Sequence, residues 1–336
     1  MDVILDTNIL RKDFKMTSKL FEAFLVFLKK TDSRLVLPEI VVDEILSLYK
    51  RELDALNKKY SDVVNKISNT SFITAPKQNL KIDLEKEVTE FNKLILHPPN
   101  IYPTVIIPNK SEHLKESINI LLSAQKPASE KRNEYRDVLI WLSIKEHLKK
   151  RKKLNTSFIS ANTKEFSDEN NQLAPTLIEE VNKLGSCLNY YPSLEEFLKC
   201  NADKIEFIDE QWINNNLDSK EVIRLLSDTL ERRDYKITQY LERREDNITG
   251  EIDINEIDYS VDDYFVIDID EENIFLHLNL FCTVEVEYYI KEYYDLLYGE
   301  YEKERHRKQI EFLADFSVEI VDKEIVGIEL DDWDFA

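Results

Sequence analysis

The chain has 336 residues, 45 Lys and Arg against 66 Asp and Glu, a formal net charge of −21, and 43% hydrophobic and 33% charged residues. That length accommodates about two domains with substantial cores, and the composition marks a soluble, globular protein. No apolar run reaches the roughly 18 residues of a membrane-spanning helix, and Met1-Asp2 leads directly into an apolar segment without a basic lead, so neither a membrane span nor a signal peptide is expected. Three widely spaced cysteines, Cys187, Cys200 and Cys282, point to reduced thiols and a cytoplasmic setting.

The first element is the aliphatic run Val3-Ile4-Leu5, which ends abruptly in Asp6-Thr7-Asn8. An unbroken aliphatic run reads as a buried parallel strand, and the carboxyl end of such a strand is where α/β folds place ligand-binding groups. An ordinary Asx turn also accounts for this segment taken alone. Arg34 to Pro38 reads as a second short strand stopped by proline, followed by a helix with Asp43 and Glu44 on its early turns. Apolar residues at three- and four-residue spacing, from Ile45 through Leu56 and Val63 to Ile67, predict that this helix runs from Asp43 to about Ser68. A second helix is predicted over Asp83–Leu96. The prolines at 98, 99, 103 and 108 then predict a rigid connector, with helices resuming over Ser111–Ser123 and Asp137–Lys149. The long insertion between Glu44 and Asp137 reads as helical padding more readily than as a lid or substrate wall. Asp137 falls in the first turn of its helix, where the dipole stabilises a carboxylate, so capping explains it as well as function does. Thr156 to Ile159 followed by Ser160-Ala161-Asn162 then repeats the opening pattern of a strand that ends in small polar residues.

Four strand or helix ends, each carrying acids or amides, fit one pocket. Asp6-Thr7-Asn8, Glu44, Asp137, and Ser160-Ala161-Asn162 followed by Lys164-Glu165-Phe166 resemble, in this order and on these ends, the PIN-domain ribonucleases over about residues 1–200. The likeness is greatest to the larger bacterial PIN-like branch. It implies an α/β fold with a PIN-like parallel sheet flanked by helices, divalent metal held by Asp6, Glu44 and Asp137, and cleavage of single-stranded or structured RNA. The fourth family position, often an acid, falls on Asn162, while Glu165 and Asp168 lie near enough in sequence to substitute. The implied roles are a toxin or defence effector, or a catalytically weak PIN-fold regulator that binds RNA or protein.

The residues support the same chemistry on physical grounds. Carboxylates crowded into one pocket raise each other's proton affinity unless a cation neutralises them. Acids clustered without His or Cys select a hard, oxygen-preferring ion, Mg²⁺ or Mn²⁺. Asn162 can ligate through its carbonyl but adds no charge, so a second metal is expected to bind more weakly. Thr7, Asn8, Ser160 and Glu165 are expected to orient the ligands. A haloacid-dehalogenase-type phosphatase needs a second Asp two residues after the first, and that position is Asn8. Only four glycines occur, ungrouped, so no phosphate loop is present, and the five histidines show no metal-ligand spacing.

Charge divides the chain near Cys200. Up to that point 31 Lys and Arg face 28 Asp and Glu, a net of +3; beyond it 14 face 38, a net of −24. The first part keeps the basic run Lys145, Lys149, Lys150, Arg151, Lys152 and Lys153 and a second group at Lys126, Lys131, Arg132 and Arg136. These are candidate contacts to RNA phosphates or simply solvated helix ends. Residues 201–336 are predicted to form a smaller acidic α+β domain. Its helices are expected over Ser219–Leu230 and Arg232–Arg243. Its strands are expected over Tyr264–Asp268, Ile274–Tyr289, Phe312–Val321 and Ile325–Leu330. A charged helical stretch is expected around Tyr293–Gln309, and turns at Asp270–Asn273 and Asp322-Lys323 complete an antiparallel meander. Such an acidic domain is expected to cover the basic surface, to dock a regulatory protein partner, or to form a homo-oligomer.

Overall fold

Alternating strands and helices build the first of two units, Met1–Asn201 and Ala202–Ala336, seen in a computed structural model. The structure describes residues 1–70, 82–129, 135–152, 154–201, 208–232, 234–245, 248–268, 273–295 and 300–336. Lys131, Arg132, Lys153 and the Asp270–Glu272 part of the expected turn lie outside the described residues.

The first unit runs β1 (Asp2–Leu5), α1 (Thr7–Lys12), α2 (Lys19–Lys30), β2 (Arg34–Pro38), α3 (Glu39–Thr70), α4 (Leu84–Leu96), β3 (Val105–Ile107), α5 (Ser111–Ser123), α6 (Tyr135–Lys150), β4 (Thr156–Ile159), α7 (Thr163–Phe166), α8 (Pro175–Lys183), β5 (Leu188–Tyr191) and α9 (Leu194–Asn201). All strand pairs are parallel and their order is β3-β2-β1-β4-β5. Successive strands thus add on one side of β1 and then on the other. The order reverses between β1 and β4, which opens a crevice at their carboxyl ends, where α/β sheets bind ligands.

Burial on both faces explains the unbroken aliphatic runs. Val3, Ile4, Leu5, Leu35, Val36, Leu37, Phe158 and Ile159 are fully buried. The helix α6 is apolar around most of its circumference, from Val138 to Ile144, because it packs inside the unit. The described part of the long insertion packs back as helices, α4 against α3 and α5 against α6. Within the expected proline-rich connector the structure adds the strand β3, paired to β2. It is three residues long and lies at the sheet edge, where flanking prolines interrupt no interior ladder. This edge placement is why it carries so little signal.

The second unit begins with α10 (Glu210–Asn216), α11 (Ser219–Arg232) and α12 (Asp234–Glu242). A four-stranded antiparallel meander follows in chain order: β6 (Ile248–Asp268), β7 (Asn273–Asp295), β8 (Glu300–Val321) and β9 (Glu324–Phe335). Leu226 and Leu230 of α11 join Leu276, Leu278, Phe316 and Val318 in its core. Asp322 and Lys323, at φ 51° and 67°, form the two-residue β8–β9 hairpin turn, whose doubly left-handed backbone matches strand twist. Over its described residues, 293–295 and 300–309, the expected charged helix around Tyr293–Gln309 is instead strand, the end of β7 and the first half of β8. Its Lys, Arg and Glu favour helix locally. Pairing with β7 overrides that preference, setting Arg305 and Arg307 against Glu287 across the ladder. Among the described residues no helix is long and apolar enough to cross a membrane.

One buried ion pair closes the amino end of the first sheet. Asp2 is wholly buried; its Oδ1 accepts from Arg34 Nη2 at 2.6 Å and its Oδ2 pairs with His147 Nε2 at 2.8 Å. Burial alone would raise the Asp2 carboxyl, but the bonds to His147 and Arg34 hold it below its ordinary value of 3.8. Asp2→Asn should therefore cost about 2 kcal/mol in urea unfolding at pH 7, because it takes the buried charge out of the bonds to half-buried Arg34 and to His147. Wild-type stability from this pair is complete above pH 3.8 and is lost as pH falls through the lowered value. The gap between the two proteins should close over that acid range.

Candidate active site

Asp6 is the first residue past β1 and the N-cap of α1. Its carboxylate is buried, and three donors hold it: Thr7 N–H to Oδ1 at 2.7 Å, with Asn8 Nδ2 at 2.9 Å and Ser160 Oγ at 2.5 Å to Oδ2. Asn8 also ties the two central strands together, since its Oδ1 accepts the Ala161 N–H at 3.0 Å. Ser160 Oγ in turn accepts the Asn162 N–H at 3.1 Å, and the Tyr190 hydroxyl donates to the Ser160 carbonyl at 2.7 Å. The loop after β4 is thereby fixed against the loop after β1.

Asp137, in the first turn of α6, accepts from Asn162 Nδ2 at 2.7 Å. Burial first, then the charge of Asp6 and that of Glu165, push its carboxyl up to about 6 against the opposing pull of Asn162 and Arg136. Burial also raises Asp6, opposed by its bonds to Ser160, Thr7 and Asn8. The Tyr190 hydroxyl rises to about 12 through burial and the fields of Asp6 and Glu165. Glu44 stands at the margin of this group. Its Oε2 accepts Thr7 Oγ1 at 2.9 Å, and its Oε1 pairs with Arg136.

The structure therefore brings together Asp6, Thr7, Asn8, Asp137, Ser160 and Asn162, with Glu44 joined through Thr7 and Arg136. Glu165, buried on the one-turn helix α7, adds its charge to the same pocket. The spacing of Asn162 and Glu165, three apart, is a signal for a shared helical face that the sequence already carried. Asp168 is not brought to the acids. Its Oδ1 accepts the N–H groups of Asn170 at 2.9 Å and Gln172 at 3.0 Å, which folds it into a turn of its own.

The basic run is placed elsewhere too. Lys149 and Lys150 end α6, about 18 Å along the helix from Asp137 at 1.5 Å per residue. Arg151 lines a small cavity with Asp2, Arg34 and Tyr102 at the amino ends of the strands, and Lys152 follows it in the turn before β4. Of the sequence-predicted cations among the described residues, Arg136 is the one that reaches the acids.

A family model described as PIN domain matches residues 3–166. The N-terminal unit is a PIN domain. The chain is also similar to a solved structure titled "Crystal structure of VapBC2 from Rickettsia felis bound to a DNA fragment from their promoter", at 12% identity, with 56% of this chain and 98% of that chain covered and a TM-score of 0.29. No curated protein matches the chain.

The donor set fits a hard divalent cation in kind: oxygen only, with buried Asp6 close enough to half-buried Asp137 to raise its proton affinity. As placed, the carboxylates are committed to protein donors. Among the described residues no three His, Cys, Asp or Glu side chains stand together closely enough to hold a metal ion.

Ionising Asp137 in the metal-free protein carries a cost, which gives a pH signature. Its folded pKa of about 6 lies above the ordinary 3.8, so the cost is absent below pH 3.8 and complete above pH 6. In EDTA, Asp137→Asn should melt above wild type at pH 7.5, and the difference should shrink toward pH 4. A variant that melts below wild type at both pH values would contradict this account of the pocket.

Proposed function

We propose that the PIN domain of this chain is a divalent-metal-dependent ribonuclease, with Asp6 and Asp137 as the principal ligands of Mg²⁺ or Mn²⁺. The observation that carries this reading is the sharing of one buried, oxygen-only pocket by these two carboxylates at the switch point between β1 and β4. PIN domains are generally nucleases, which sets the reaction class. A bound cation would supply an acidified water and offset the charge that develops on a phosphodiester under attack.

The chain's own residues do the rest. Ser160, Asn8 and Thr7 fix the Asp6 carboxylate, and Asn162 fixes Asp137 while keeping its own Oδ1 available as a neutral ligand. Glu44 can contribute once its pairing with Arg136 is exchanged for the cation. Glu165, rather than Asp168, supplies the further negative charge, since it is the acid whose field reaches Asp137. Arg136, 63% exposed in its side chain, is then free to meet the substrate's phosphate. The acidic second unit, at net −24, suits a cationic regulatory protein or self-association better than direct contact with RNA.

The test is cleavage of a panel of single-stranded RNAs with Mn²⁺ or Mg²⁺. Asp6→Asn and Asp137→Asn should each lose more than about 100-fold in rate, and Ser160→Ala, which removes one of the two donors to Asp6 Oδ2, about 10–100-fold. Both Asn variants digesting RNA at the wild-type rate would show the pocket to be misassigned. Asn162→Asp should lower the metal concentration needed for half-maximal rate, because it replaces a neutral ligand beside Asp137 with a charged one.

A second reading, a PIN-fold regulator with little catalysis, has its own observation: the neutral residue at 162 and carboxylates already committed to protein donors. Wild-type protein that binds RNA yet leaves it intact in millimolar Mn²⁺ would favour it.

A further inference from the structure

An open surface depression of about 980 Å³ is lined in part by α7, the helix that follows Asn162 and carries Glu165. Thr163 and Lys164 of α7, immediately after Asn162, form part of one wall. Gln125 and Lys126, from the turn between α5 and α6, and Asn170 and Asn171, from the turn before α8, are among the other lining residues. It is open enough to seat a flat group against one wall while leaving the rest of a longer ligand in solvent.

Its chemistry is divided. Lys126 is half-buried and anchored, its Nζ donating to the Ser167 carbonyl, with further N–H donors in reserve. Lys164 is exposed, as are Gln125, Asn170 and Asn171, whose amides offer both donors and acceptors. Asp168, half-buried and held by its own turn, also lines the cavity. The carboxylate disfavours a phosphate inside the cavity, whereas the lysines favour one at its rim. A ligand with an anionic backbone and a neutral, hydrogen-bonding head satisfies both, and an unpaired nucleotide has that form.

We propose that this cavity receives one unpaired base of a single-stranded RNA next to the cleaved phosphodiester. Lys164 and Lys126 take the flanking phosphates, and Gln125, Asn170, Asn171 and Asp168 meet the base edge. The acidic acceptor favours bases with an exocyclic amino group over uracil. This inference rests on the nuclease reading of the acids. It also relocates the RNA path from the Lys149–Lys152 end of α6 to the carboxyl end of the sheet.

The test uses the full chain carrying Asp137→Asn, which keeps RNA intact, and a cytidine decamer with one 5-iodocytidine. Irradiation followed by peptide mapping should place adducts within residues 124–126 and 163–176. Adducts confined to residues 149–152 or to the acidic unit, or no adduct at all, would overturn the proposal. In the same background Lys164→Glu should weaken decamer binding several-fold and reduce the slope of log affinity against log salt by about 0.7, the share of one single-strand phosphate contact. An unchanged slope would also overturn it, as would equal affinity for cytidine and uridine decamers. The two readings separate cleanly. RNA cleavage by wild type with KM unmoved by Lys164→Glu keeps the nuclease and removes the cavity's role. Specific adducts here from a wild type that cleaves nothing do the reverse.

Discussion

The buried carboxylate of Asp6 is the constraint around which the first unit is arranged. An ionised carboxylate away from water is tolerated only when its oxygens are hydrogen-bonded or neutralised. Three donors from two strand ends meet that requirement: Thr7 and Asn8 after β1, and Ser160 after β4. The bonds that make Asp6 affordable therefore also lock the loops on both sides of the switch point, and Asn8, bonded to the Ala161 backbone, closes the loop of contacts. Asn162 inherits its position from that lock and presents its amide to Asp137. The geometry of the whole pocket is thus a consequence of burying one acid.

Charge is sorted along the strand direction. The amino end of the sheet carries a pair that neutralises itself, Asp2 with Arg34 and His147, and its bonds hold Asp2 below the ordinary carboxylate range despite burial. At the carboxyl end, burial and the charges of Asp6 and Glu165 act on Asp137 in the same direction, opposed only in part by Asn162 and the exposed Arg136. Two buried aspartates at the two ends of β1, Asp2 on its first position and Asp6 just past its last, thus differ in proton affinity because of partners contributed from elsewhere in the chain. The first is held by a cationic partner, whereas the second is held only by neutral donors in its first contacts.

Much of this was legible in the sequence. Aliphatic runs ending in Asp-Thr-Asn and Ser-Ala-Asn located both central strands and their polar ends, because a doubly buried parallel strand leaves an unbroken apolar signature. The meander of the second unit was legible from period-two alternation between Phe275 and Tyr288. Two kinds of residue misled or escaped. The Lys, Arg and Glu of residues 300–309 are helix-favouring, and only their partners in β7 make them strand. Short elements such as β3 and β5 carry too few residues for periodicity. At the site, Asp168 and Glu165 were equally plausible by proximity; a turn captured by its own backbone amides and a buried one-turn helix separate them. The basic run lies away from the acids for a geometric reason, since a 16-residue helix puts its two ends at opposite ends of the sheet.

Arg136 shows how such a pocket can keep its acids apart without closing. It is adjacent to Asp137 in sequence and pairs with Glu44, yet its side chain is 63% exposed against 14% for Glu44. An ion pair with one partner so well solvated contributes little to stability, on the order of 0–1 kcal/mol, so exchanging it for another partner costs correspondingly little. Glu44 itself is bound on its other oxygen by Thr7, whose backbone N–H holds Asp6. Thr7 therefore ties Glu44 to the same loop that fixes Asp6, while the other side of Glu44 faces only a solvated guanidinium. The costly part of the site, the buried Asp6 with the half-buried Asp137 beside it, is built into the fold, and the adjustable part is confined to a side chain that water already covers.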